Sequence, residues 1–124
     1  IERKFHNENF SMIITQRKKV LCDAIARHFV VHLKYDDDLF WRIFEPQAVY
    51  KSTVDKINVT GVQTQDKNKP LELPSRKPRN FELDRIKFIE VTDIHFKFDP
   101  TFDRYDKRFT NGIFCCIKPM KIGN

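Results

Sequence analysis

Along residues 11–28 the apolar positions recur at helical spacing. Ile13, Ile14, Val20, Leu21, Ala24, Ile25 and His28 fall near one stripe, with Gln16, Lys19, Asp23 and Arg27 opposite. Ser11 is a side chain suited to cap such a helix, so the pattern predicts a helix over 11–28. Residues 1–10 lack a clear period and read as a tail or linker. At Phe29 the period changes to two. Phe29, Val31, Leu33 and Tyr35 alternate with Val30, His32 and Lys34, the signature of a half-buried strand. The triplet Asp36-Asp37-Asp38 reads as a solvated turn. A second strand is expected from Phe40 until Pro46 stops it, because proline cannot donate to a ladder.

Residues 57–64, INVTGVQT, are rich in β-branched side chains and predict a third strand, with Gly61 marking a bulge or sharp bend. Residues 65–78 hold three of the six prolines and much charge, and read as a long loop. In NFELDRIKFIEV, residues 80–91, two strand-like pieces flank the charged pair Asp84-Arg85. Residues 93–112 are aromatic without a steady period, as an irregular arm over the core would be. Residues 113–119, IFCCIKP, predict a short closing strand. The sum is one domain over 11–119, mainly β with an N-terminal helix (α+β), with barrel strands over 29–92. A small, strongly bent barrel or a helix-capped sheet would satisfy it.

Composition narrows the classes. The 124 residues are 40% hydrophobic and 32% charged, which fits a folded domain with a modest core. No apolar run approaches the roughly 20 residues that cross a bilayer. The net charge of +6 favours anionic partners. The cysteines, Cys22, Cys115 and Cys116, are odd in number, and two are adjacent. That pattern argues against a disulfide framework and for inert, reduced thiols in a cytoplasmic protein. With four scattered histidines and no CxxC, no metal site is expected. The chain also lacks a Gly-rich phosphate loop, GxSxG and HExxH, so neither catalysis nor a cofactor is expected.

The order of AIARHFVVHLKY, RIFEP, a β-branched strand and FELDRI resembles the WYL domain, and GVQT at 61–64 and FDRYDKRFTNGIFCCI at 102–117 extend the likeness over residues 17–117. The resemblance implies a small SH3-like (Sm-like) β-barrel behind an amphipathic helix. It also implies a non-catalytic, ligand-sensing role in bacterial transcriptional regulation or phage defence, alongside an attached or separate DNA-binding domain. The eponymous Trp-Tyr-Leu position falls on Ile57, Asn58 and Val59, and Glu82 stands where the family carries arginine.

The candidate site follows from side-chain chemistry. A guanidinium at a strand junction can grip an anion with two parallel hydrogen bonds, so Arg85 and Arg42 are expected at a ligand-binding mouth. Tyr35, Asn58 and Gln63 would supply neutral hydrogen bonds. The competing reading has Asp84 making the turn and Arg85 paired with Glu45 or Glu82, bracing the junction. The basic residues Lys67, Lys69, Arg76, Lys77 and Arg79 could follow a phosphate backbone, but their loop contains no aromatic residue for stacking. The partners expected are therefore an anionic small molecule or nucleic acid. A dimerisation module without a ligand is the alternative.

Overall fold

The computed structural model describes residues 2–119, with side chains from Ile13 onward. The order of elements is α1 (Glu2–Arg27), β1 (Phe29–Tyr35), β2 (Arg42–Lys51), β3 (Ile57–Asp66), β4 (Lys77–Glu82), a 3-10 turn (Leu83–Arg85), β5 (Ile86–His95), a second 3-10 turn (Lys107–Phe109) and β6 (Ile113–Cys116). The helical stripe buries Leu21, Ala24, Ile25 and, one turn on, His28. The helix begins at Glu2 rather than Ser11, so the residues read as a tail are helical and Ser11 is interior. No glycine or proline occurs between Glu2 and Arg27 to interrupt it. It stops where His28 turns to φ 59°, a left-handed conformation. There the His28 ring meets the Lys118 carbonyl through Nε2 at 2.8 Å and stacks on Phe96.

The strands form one antiparallel sheet in the order β4-β3-β2-β1-β5. β3 holds one edge of β2 over its whole length, so β1 and β6 share the other, β1 against Arg42–Phe44 and β6 against Ala48–Tyr50. The sheet is open: no ladder joins β4 to β5 among the described residues. It is nevertheless curled. Four strand spacings in a flat sheet are about 19 Å, whereas the four peptide steps from Glu82 to Ile86 reach at most about 14 Å when extended. Leu21, Ile25, Val31, Leu33, Phe44, Val49, Val59, Leu83 and Ile86 fill the space between sheet and helix without solvent exposure.

Pro46 does not end β2. The strand continues to Lys51, and its register against β3 slips between Pro46 and Ala48. A bulge of this kind absorbs the missing N–H, and Pro46 is itself fully buried. Gly61 sits opposite Pro46, next to the slip, but the extra residue is Gln47 on β2 rather than Gly61 itself. A Cβ there would lie 2.2 Å from the Glu45 carbonyl oxygen and 2.7 Å from Phe44 Cζ. Gly61→Ala is therefore expected to destabilise the domain by about 1–3 kcal/mol, the usual cost of overpacking, read as a lower urea midpoint.

The arm after β5 takes its shape from three successive Asx turns. Asp99 Oδ1 accepts from the Thr101 amide, Asp103 Oδ1 from the Tyr105 amide and Asp106 Oδ1 from the Arg108 amide, each at 2.9 Å. The arm packs Phe109 edge-on against Tyr50.

The thiol assignment needs correcting. Cys22 on α1 and Cys115 on β6 form a disulfide, and Cys116 is the free cysteine. Adjacent residues on a strand face opposite sides, which excludes a Cys115–Cys116 bond but leaves Cys115 facing the helix. The argument for a reducing, cytoplasmic setting from free thiols loses its ground. No described helix is long and apolar enough to cross a membrane.

Candidate functional site

The turn after β1 is organised by Asp38, whose Oδ2 accepts from the Tyr35 amide at 2.9 Å. The same carboxylate grips Arg42 at the start of β2: Nε donates to Oδ2 at 2.7 Å and one terminal nitrogen to Oδ1 at 3.1 Å. The other terminal nitrogen donates to Gln63 Oε1 at 3.2 Å and lies 3.5 Å from Asp66 Oδ2. The hydrogen bonds to Asp38 raise the Arg42 pKa further, against the lowering effect of burial and with help from the charges of Asp38, Asp66 and Asp36. Burial alone would raise the Asp66 carboxyl. The Asn68 side chain and amide, together with the charge of Arg42, hold it below its ordinary value.

Arg85 is clasped in the same way. Its Nε donates to Asp36 Oδ1 at 2.8 Å, one terminal nitrogen donates to Asp36 Oδ2, and the other to Glu82 Oε2 at 3.1 Å. Hydrogen bonds to Asp36 and Glu82 raise the guanidinium pKa, and the Arg85 hydrogen bond lowers that of Asp36. Asp36 reaches this position with φ 52°, a backbone that Asp tolerates better than most residues.

A run of rings joins the two arginines. Arg85 lies 4.8 Å above the Tyr35 ring, Tyr35 meets Phe81 edge-on at 4.9 Å, and Arg42 lies 5.6 Å from Phe81. The Tyr35 hydroxyl accepts from the Glu82 amide at 3.1 Å. Burial raises its pKa, partly offset by that hydrogen bond and by Arg85. From the helix side, Arg17 donates to the carbonyls of Leu83 at 3.3 Å and Lys87 at 3.1 Å. No sequence pattern marked Arg17 for this role.

The structure thus gathers Arg42, Arg85, Tyr35 and Gln63, as expected, but into a closed network. Two guanidiniums face four carboxylates: Asp36, Asp38, Asp66 and Glu82. Both guanidiniums already donate to carboxylates, which leaves neither free to clasp an anion with two parallel hydrogen bonds. The aspartate triplet, expected to be solvated, supplies two of the clasps. Glu45, one partner considered for Arg85, binds Arg76 instead, at 2.9 Å. Asn58 stands apart on β3 opposite Glu82, with Oδ1 buried and unbonded. Asp84 makes no backbone cap in its turn; its Oδ2 takes Lys56 Nζ at 3.4 Å.

The basic stretch is largely neutralised as well. Lys77 and Lys69 both lie on Glu72, while Lys67 and Arg79 form no ion pair among the described residues. Lys77 and Arg79 belong to β4 rather than to the loop. A cavity of about 230 Å³ opens between β3 and the arm. Its walls include Asp99, Asp103, Asp106 and Arg108, and neither Arg42 nor Arg85 lines it.

The cations left without carboxylate partners lie elsewhere, and one group shares the outer side of the sheet. Lys34 pairs across the ladder with Phe88. Its ammonium lies 4.9 Å from the Trp41 ring and 5.8 Å from the Phe88 ring. The Lys67 amide donates to the Trp41 carbonyl at 3.0 Å, which sets Lys67 beside Trp41. No group of three or more His, Cys, Asp or Glu side chains among the described residues could hold a metal ion. No family model, curated protein or solved structure matches the chain.

Proposed function

We propose that the chain is a non-catalytic binding module for an anionic ligand, the role its WYL-like motifs imply, and that the ligand is met by lysines outside the arginine seam. One observation carries this reading. Arg42 and Arg85 are each clasped by carboxylates, while Lys34 and Lys67 form no ion pair among the described residues of a chain with net charge +6. Long-range attraction therefore concentrates anions at the lysines. The strand order, with consecutive strands β4 and β5 at opposite edges of a curled sheet, supports an SH3-like barrel as the underlying architecture. A regulatory role, through a second copy or a DNA-binding domain, would follow if the ligand binds two states with different affinity.

Titration with inorganic polyphosphate at several salt concentrations tests this. Affinity should fall as salt rises, because condensed counterions are released on binding. Lys34→Glu combined with Lys67→Glu should weaken it more than tenfold. The matched pair Lys97→Glu and Lys107→Glu, which lies on and before the arm, should change it little. Equal losses from the two pairs would mean diffuse attraction to a basic protein, and the proposal would fail.

A further inference from the structure

Three bulky apolar side chains, Phe88 beside Lys34 and Leu39 and Phe40 just before Trp41, are displayed where burial would be expected to hide them. Phe88 is 61% exposed and Phe40 57% exposed, and Leu39 beside it is more open still. The turn that carries Leu39, Phe40 and Trp41 is held rigidly. Asn68 Oδ1 accepts from the Leu39 amide at 3.0 Å and the Phe40 amide at 2.9 Å, and Asn68 Nδ2 donates to the Phe40 carbonyl at 2.9 Å. The Asn68 side chain is itself fixed, because Nδ2 also donates to Asp66 Oδ1 at 2.8 Å. Phe88 is positioned by the β1–β5 ladder. Rings carried on a backbone already held in place lose less conformational freedom on contact with a flat partner than rings on a mobile loop would.

The surrounding charge selects the class of partner. Lys34 touches both Trp41 and Phe88, and the Lys67 backbone adjoins Trp41. Glu90, 3.9 Å from His32, is an acidic group on the same face. Aromatic faces interleaved with ammonium groups match a chain of stacked bases joined by phosphates. This is also the combination missing from the 65–78 loop, which holds cations without rings.

We propose that Trp41, Phe88 and Phe40 form a stacking surface for nucleobases, with Lys34 and Lys67 receiving the phosphates, so that the anionic ligand is single-stranded nucleic acid. This rests on the binding role proposed above and gives it a ligand class. Trp41 is the only tryptophan, so its emission reports contact at the surface directly.

The test compares an oligothymidylate of about ten nucleotides with inorganic polyphosphate, using the full chain at low salt. The oligonucleotide should quench Trp41 emission and polyphosphate should not. Phe88→Ala, on an exposed side chain, should weaken oligonucleotide binding by about tenfold, within the range for loss of one stacked base, and leave polyphosphate affinity unchanged. If both polymers bind alike and Phe88→Ala affects neither, the stacking surface is overturned while the anion-binding role stands. If neither binds, both fall. A concentration-dependent dimer in light scattering, abolished by Phe88→Ala and accompanied by no quenching, would assign the face to a second copy and also overturn the proposal.

Discussion

Arg42→Ala is expected to cost about 3 kcal/mol of folding stability at pH 7, far more than Arg85→Ala, although the two arginines have the same type of partner. The difference lies in what is left behind. Arg42 is 19% exposed and its neighbour Asp66 is 4% exposed, so alanine strands a buried carboxylate, and breaking such a pair from one side is costly. Arg85 and Asp36 are 50% and 40% exposed, and water solvates whatever partner remains. Urea denaturation of the two variants measures the contrast.

pH supplies a second check. The folded pKa of Asp66 is depressed, so its contribution is present above its unfolded value of about 3.9 and is lost as pH falls through the lower folded value. Without Arg42, burial acts with less opposition and the folded value rises. The gap between native chain and variant should therefore narrow between about pH 5 and pH 2. A gap that stays constant over that window would show that Arg42 contributes through packing alone.

The same seam shows where sequence reasoning reached and where it stopped. Local period was enough for the buried stripe of α1 and for the alternation of β1, because both depend on neighbours a few residues apart. Gly61 was legible as a special position because the residue type is rare in strands, though it accommodates the close approach of β2 rather than forming the bulge itself. The continuation of β2 through Pro46 was not, since it depends on the bulge that β3 imposes from outside. The direction in which Arg85 points was undecidable locally. Its main partner, Asp36, is 49 positions away, and only the β1–β5 ladder brings them together. The Lys34, Trp41 and Phe88 cluster was hidden for the same reason: its members are ordinary as strand residues and become a surface only through register. The arginines were sound candidates by chemistry. What the sequence could not weigh was the number of carboxylates folded against them.

The disulfide should produce the largest single loss of stability. Cys22 and Cys115 are separated by 93 positions, and cross-linking so long a loop removes about 4–5 kcal/mol of unfolded-chain entropy on the loop-closure account. The bond also matters locally. β6 has four residues, pairs only with the latter half of β2 and otherwise leans on α1. Two further ties at that corner are the Ile117 amide to the Gln47 carbonyl, at 2.7 Å, and His28 to the Lys118 carbonyl. Cys22→Ser, Cys115→Ser and the native chain in a dithiol reductant should all unfold at similar, lower urea concentrations, about 2–5 M below the oxidised protein for an m-value of about 1–2 kcal/mol/M. Cys116→Ser should unfold with the native chain. Thiol alkylation of the unreduced protein under denaturing conditions should label one cysteine, and three after reduction. Three labels without reduction would mean that the bond does not form, and the core beneath α1 would then have to hold β6 unaided.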